Sequence, residues 1–147
     1  MLTIESVPFE QMMADAVRSF PHECCGFMFG TEQGDERSVT AIQAVHNVSD
    51  EDQRRRFRIE PRDYMKAERF ADETQTTLLG IYHSHPNHPA VPSETDRVAA
   101  QPFFSYVIVS VVDGEPEAVR SWRLNDNEQF DEELLSEPYN VTLKTKT

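Results

Sequence analysis

Apolar positions recur along this chain with two different periods, and the switches between them divide it into elements. Phe9, Met12, Met13, Ala16, Val17 and Phe20 repeat at helical intervals, which predicts an amphipathic helix over 9–20. Cys25-Gly26-Phe27-Met28-Phe29 is short and apolar throughout, the signature of a buried strand. A second strand is expected near 38–46, where Ala41-Ile42-Gln43-Ala44-Val45 runs into His46-Asn47. Pro61 suits the first position of a helix, Asp63 complements that helix's positive end, and Tyr64, Ala67 and Ala71 recur on one face. Leu78-Leu79-Gly80-Ile81-Tyr82 follows a polar Thr/Gln stretch and predicts a buried strand over 78–85. A helix is expected over 93–100, then strands near 105–112 and 117–124 joined by a turn at Asp113-Gly114. This alternation specifies an α/β fold, a mixed β-sheet flanked by helices.

Composition bounds that picture to one domain. With 147 residues, 38% hydrophobic content and nine Phe, the chain can bury one substantial core and hardly two. We assign the domain to residues 1–124. From Asn125 the composition changes to an acidic run and then Asn140-Val141-Thr142-Leu143-Lys144 without clear periodicity, so 125–147 is expected to be a mobile tail rather than an interaction strand. Met1-Leu2-Thr3-Ile4-Glu5 lacks a basic region followed by an apolar stretch, and no run reaches the roughly 18 apolar residues of a membrane span. A cytosolic protein with no membrane partner is expected. A net charge of −12 disfavours a nucleic-acid partner, which would select a basic surface. Arg54-Arg55-Arg56-Phe57-Arg58 is the exception, a basic cluster that could hold an acidic partner or a carboxylate terminus, although a solvated loop is the better expectation. Cys24 and Cys25 lack metal or redox spacing and read as small buried apolar residues.

The chemistry concentrates between His83 and Asp96. On a strand, His83 and His85 at spacing two point the same way while Ser84 points away. Pro86, Pro89 and Pro92 force a loop until Ser93, which fits a helix N-cap with Asp96 at the third helical position on the same face. A carboxylate from the first helical turn can therefore face the two imidazoles. Three nitrogen and oxygen ligands with one open position describe a catalytic rather than a structural zinc, and zinc brings the pKa of its water down to about 7. Iron or manganese could use the same ligand types, with zinc the first choice. Each half of the motif also has a purely structural account: Ser93-x-x-Asp96 resembles a capping pair, and a His-x-His pair can sit exposed at a strand end. Together, in this order, they favour the metal. His88, in a proline-flanked loop, could donate a hydrogen bond behind the ligands or contact substrate, but fits an exposed residue better, and His22 and His46 carry less still.

His-Ser-His-Pro, six residues, then Ser-x-x-Asp resembles the zinc motif of the JAMM metalloproteases, also called the MPN-plus domain. Pro21-His22-Glu23-Cys24-Cys25-Gly26 resembles the segment that carries their catalytic glutamate. Ile59-Glu60-Pro61, Gly80-Ile81-Tyr82, Ala90-x-Pro92-Ser93 and Tyr106-x-Ile108-Val109-Ser110 extend the likeness to the small bacterial and archaeal branch, over roughly residues 4–124. The resemblance implies a cytidine-deaminase-like architecture, one zinc per chain on His83, His85 and Asp96, Glu23 as general base and acid, and Ser93 in support of the oxyanion. Read on its own, Glu23 is one of 26 acidic residues and would be a solvated loop charge. The resemblance further implies a metallopeptidase or isopeptidase that cleaves after the C-terminal glycines of a ubiquitin-like sulfur-carrier protein.

Three other readings fare worse. The His-x-Glu and Pro-Cys-x-x-Cys signature of zinc deaminases is absent. A nucleic-acid-associated relative of the same fold is disfavoured by the acidic composition and by Ser84 between the histidines. A scaffold relative would be expected to lack the ligands, which this chain retains.

Overall fold

The computed structural model describes residues 1–138. Its framework is a mixed eight-stranded sheet in the order β7-β6-β5-β4-β2-β3-β1-β8. In chain order the elements are β1 (Leu2–Ile4), α1 (Ser6–Ser19), β2 (Cys25–Gln33), β3 (Glu36–Val45), α2 (Pro61–Thr74), β4 (Thr77–Pro86), α3 (Glu94–Ala99), β5 (Ser105–Val112), β6 (Glu115–Leu124), β7 (Phe130–Glu133) and β8 (Leu135–Ser136). β4 pairs in parallel with β5 and antiparallel with β2, so the two strands that bear on the site are central and buried.

The alternation of side chains sorts the core onto the two faces of this sheet. Phe9, Met12 and Ala16 of α1 pack with Met28, Tyr82, Val107 and Val109 on one face. Ala67 and Ala71 of α2 pack with Phe27, Phe29, Ile81 and Tyr106 on the other. Helix α1 begins three residues before the expected Phe9, because Pro8 falls in its first turn, where a missing N–H costs no intrahelical bond. β2 runs four residues past the expected Phe29, and β3 begins at Glu36, two residues before the expected start. Gly34, at φ 62°, closes a tight connection between β2 and β3 that sequence reading left open.

One difference concerns the expected tail. Phe130–Glu133 pairs antiparallel with β6 at one edge, and Leu135–Ser136 pairs in parallel with β1 at the other. Part of the segment beyond Asn125 thus joins the sheet, covering edges that would otherwise present unpaired backbone. Its polar composition hid this, since edge strands are short and half exposed. The stretch Asn140–Lys144 lies outside the described residues.

Gly80 is required by a close approach. It sits where β4 pairs with Ser105 at the start of β5, and a Cβ there would overlap the Ser105 backbone, which cannot rotate away as a side chain could. Gly80→Ala is therefore expected to cost about 3 kcal/mol through forced backbone separation, to be read as a lower denaturant midpoint at unchanged slope. No helix among the described residues is long and apolar enough to cross a membrane.

Candidate metal centre

β4 delivers the histidines as its pleat requires. Tyr82 donates its hydroxyl hydrogen to Asp15 of α1 at 2.8 Å, on the α1 face. His83 and His85 lie on the other face, their ring centroids 5.2 Å apart, and Phe57 stacks on His83 at 4.5 Å. Ser84 points away from them into the core, where its Oγ accepts the Cys24 N–H at 2.8 Å and fixes the residue that follows Glu23. That second duty was not legible in the sequence, where Ser84 reads only as the residue between two histidines.

Asp96 arrives from α3. Ser93 is the N-cap: its Oγ accepts the Asp96 N–H at 3.1 Å while the Asp96 carboxylate accepts the Ser93 N–H at 2.8 Å, a reciprocal capping box. The box leaves the carboxylate facing the imidazoles, with Oδ2 at 3.2 Å from His85 Nε2 and Oδ1 at 3.9 Å from His83 Nε2. Capping and facing the histidines are therefore compatible at one residue. His85 Nδ1 donates to the Pro89 carbonyl at 2.8 Å, which directs Nε2 inward. The proline loop that supplies this carbonyl is anchored in turn: Trp122 Nε1 donates to the Ala90 carbonyl at 3.0 Å and the Ser110 hydroxyl to the His88 carbonyl at 2.6 Å.

Glu23 enters from the start of β2, only 5% exposed. Its Oε1 lies 3.5 Å from His83 Nδ1, and both atoms are buried without a hydrogen-bond partner among the described residues. Orphaned polar atoms are rare in folded proteins, and two buried side by side fit a site shaped around a further group. Glu23, His83 and His85 each offer a ligand atom, all within 4.8 Å of one another, so they could hold a metal ion. All five residues singled out from the sequence are thus brought together. His88, in contrast, is exposed at the rim.

The charge state of the cluster follows from its packing. Burial opposes ionisation of Asp96, but the charge of His83, the His85 hydrogen bond and the Ser93 N–H hold its carboxyl well below the usual range. Burial likewise pushes the His85 imidazole down, and is outweighed by the Asp96 hydrogen bond, the Pro89 carbonyl and the charges of Asp96 and Glu23, which leave it raised. The depressed Asp96 stabilises the fold above the ordinary carboxyl pKa and loses that effect as pH falls through its folded value. The raised His85 stabilises it below the ordinary imidazole pKa and loses that effect as pH rises through its folded value. The pair therefore contributes most between about pH 4 and about pH 6.5. Melting curves of chelator-treated protein should show this window, flattened in Asp96→Asn.

Two pockets flank the cluster. A cavity of about 160 Å³ touches His83 and Asp96 and is walled by Phe57, Ile59, Tyr64 and Tyr106. On the other side, Glu23, His85 and Ser93 share a pocket with Arg55 and Arg56. The arginine cluster expected as a solvated loop thus borders the site, although Arg54, Arg55 and Arg58 are exposed. Sequence spacing held no signal for this, because the loop reaches Glu23 through tertiary hydrogen bonds. Cys24 and Cys25 are free and buried, and burial pushes the Cys25 thiol up to about 12, so it stays protonated at neutral pH.

A family model described as prokaryotic homologs of the JAB domain matches residues 6–125. A CysO-cysteine peptidase of Mycobacterium tuberculosis strain H37Rv is 31% identical over 143 residues, covering 95% of this chain and 90% of that protein. A desampylase of Haloferax volcanii is 36% identical over 91 residues, 61% of this chain and 63% of that protein. A solution structure of a Desulfitobacterium hafniense protein has a TM-score of 0.82 at 30% identity, covering 94% of this chain and 93% of that one. With the cluster of Glu23, His83 and His85 on this sheet and a family match over most of its length, the chain belongs to the prokaryotic JAB family, a small JAMM/MPN branch, and is a hydrolase.

Proposed function

We propose that this protein is a zinc-dependent peptidase or isopeptidase that cleaves after the C-terminal glycines of a ubiquitin-like sulfur-carrier protein. The observation that carries the reading is the pair of orphaned buried atoms, Glu23 Oε1 and His83 Nδ1, 3.5 Å apart in a cluster where Asp96 lies against His83 Nε2 and His85 Nε2. His83, His85 and Asp96 would hold the metal, a nitrogen and oxygen set suited to zinc. Zinc supplies acidification of water to a pKa of about 7 and polarisation of the carbonyl under attack. Glu23 takes the proton from the attacking water and returns it to the leaving nitrogen, for which its buried carboxylate stands within the cluster. Ser93 Oγ accepts the Asp96 N–H and so keeps its own hydrogen free to donate to the developing oxyanion. The similarity to proteins named CysO-cysteine peptidase and desampylase supports a carrier-protein substrate.

The test is incubation with the host's own ubiquitin-like sulfur-carrier proteins bearing C-terminal extensions, followed by intact mass measurement. A single cut after the glycine pair is expected; carriers that all keep their extensions would sink the reading. Ser93 can be examined separately. Ser93→Ala is expected to lose about 1 kcal/mol of stability and about 10²-fold in turnover. Ser93→Gly keeps much of the capping preference without a hydroxyl, so near-normal turnover in that variant would reduce Ser93 to a cap.

A further inference from the structure

The loop that carries the arginines is built onto the backbone of Glu23. Asn47, only 8% exposed, uses its whole amide for this purpose. Its Nδ2 donates to the Glu23 carbonyl at 3.2 Å and to the Arg56 carbonyl at 3.0 Å, and its Oδ1 accepts the N–H groups of Ser49 and Arg58, each at 3.0 Å. The Glu23 N–H donates to the Gln53 carbonyl at 2.7 Å. Both backbone groups of Glu23 therefore bond to the 47–58 segment, which fixes where Arg55 and Arg56 stand relative to its carboxylate. Arg54, Arg55, Arg56 and Arg58 fall within five residues of a chain of net charge −12, just after Asp50, Glu51 and Asp52.

The position of Glu23 gives the two pockets different tasks. A group that returns a proton to the leaving nitrogen must face the leaving group, and Glu23 lines the arginine pocket, not the aromatic one. The aromatic cavity beside His83 and Asp96 is then left for the acyl side. A leaving amine next to two guanidinium groups is best matched by one that carries an anion within a few bonds of its nitrogen. An amino acid with a free α-carboxylate has that form, whereas the side-chain amine of a lysine within a protein does not. Arg56 now pairs with Glu51 at 3.4 Å, an exposed contact weak enough to be exchanged for a ligand.

Resting on the peptidase reading above, we propose that Arg55 and Arg56 bind the free carboxylate of the leaving group, so that the preferred substrate is a carrier protein extended by one amino acid or a short peptide ending in a free acid. The experiment compares the full-length protein on a sulfur-carrier protein extended beyond its glycines by a single cysteine, as the free acid and as the C-terminal carboxamide. The free acid should be cleaved with a kcat/KM about tenfold higher, mostly through KM, because a charge-assisted fork contact is lost in the amide. Arg55→Gln with Arg56→Gln should bring the ratio close to one, while Arg54→Gln, which removes equal charge per site outside the pocket, should keep it. Equal cleavage of acid and amide by the unmodified protein would overturn the inference and leave the peptidase reading standing. An equal fall in the ratio for Arg54→Gln would overturn it too, since a diffuse field would then suffice. Cleavage of neither substrate would overturn both.

Discussion

Glu23→Gln should keep its metal and lose at least about 10²-fold in turnover, since a positioned proton carrier contributes roughly that much or more. The substitution preserves shape. The backbone of Glu23 remains held by Gln53 and Asn47, and the amide fits the space of the carboxylate, so the fold has no reason to change. What disappears is the ability to accept a proton from water and pass it to the leaving nitrogen. Turnover measured on a verified carrier substrate, with zinc content measured on the same sample, separates the two effects. Unchanged turnover would remove Glu23 from the chemistry.

A second large effect is expected from His85→Ala, which should abolish both zinc and turnover. Only two of the three proposed ligands remain, and Asp96 loses the imidazole at 3.2 Å that faces it. The helix cap should survive, because Asp96 still accepts the Ser93 N–H and Ser93 Oγ still accepts the Asp96 N–H. A folded, zinc-free and inactive variant is therefore the expected product, identified by elemental analysis together with circular dichroism. Full zinc occupancy in His85→Ala would exclude His85 from the ligand set.

The parts of the site that were readable from the sequence are those that depend on local geometry. Spacing two on a strand places His83 and His85 on one face, and a Ser-x-x-Asp sequence after proline makes a capped helix start whatever surrounds it. Strands β4 and β5 are likewise plain from their apolar runs over 78–82 and 106–109, as central strands buried on both faces should be. Glu23 is different: nothing local distinguishes it from other acidic residues, and its selection relied on resemblance. Asn47, Gln53 and Ser84 were missed for a related reason. Their roles are hydrogen bonds to residues far along the chain, from Ser84 to Cys24 across paired strands and from Asn47 to Glu23 across a loop. The short edge strands β7 and β8 escaped because half-exposed pairing leaves no apolar period. Amphipathic spacing gives α1 but not its start, since the apolar repeat begins at Phe9 while the helix already begins at Ser6.

These dependencies make metal stoichiometry the central quantity. Binding also requires a neutral His85, so affinity should rise with pH through its raised pKa. The most direct test is to strip the protein with chelator, return zinc in small increments at constant pH, and follow hydrolysis of the carrier substrate. The account predicts no turnover in the stripped protein and a linear rise that breaks at about one zinc per chain. Full turnover in the stripped protein, with zinc confirmed absent by elemental analysis, would contradict it.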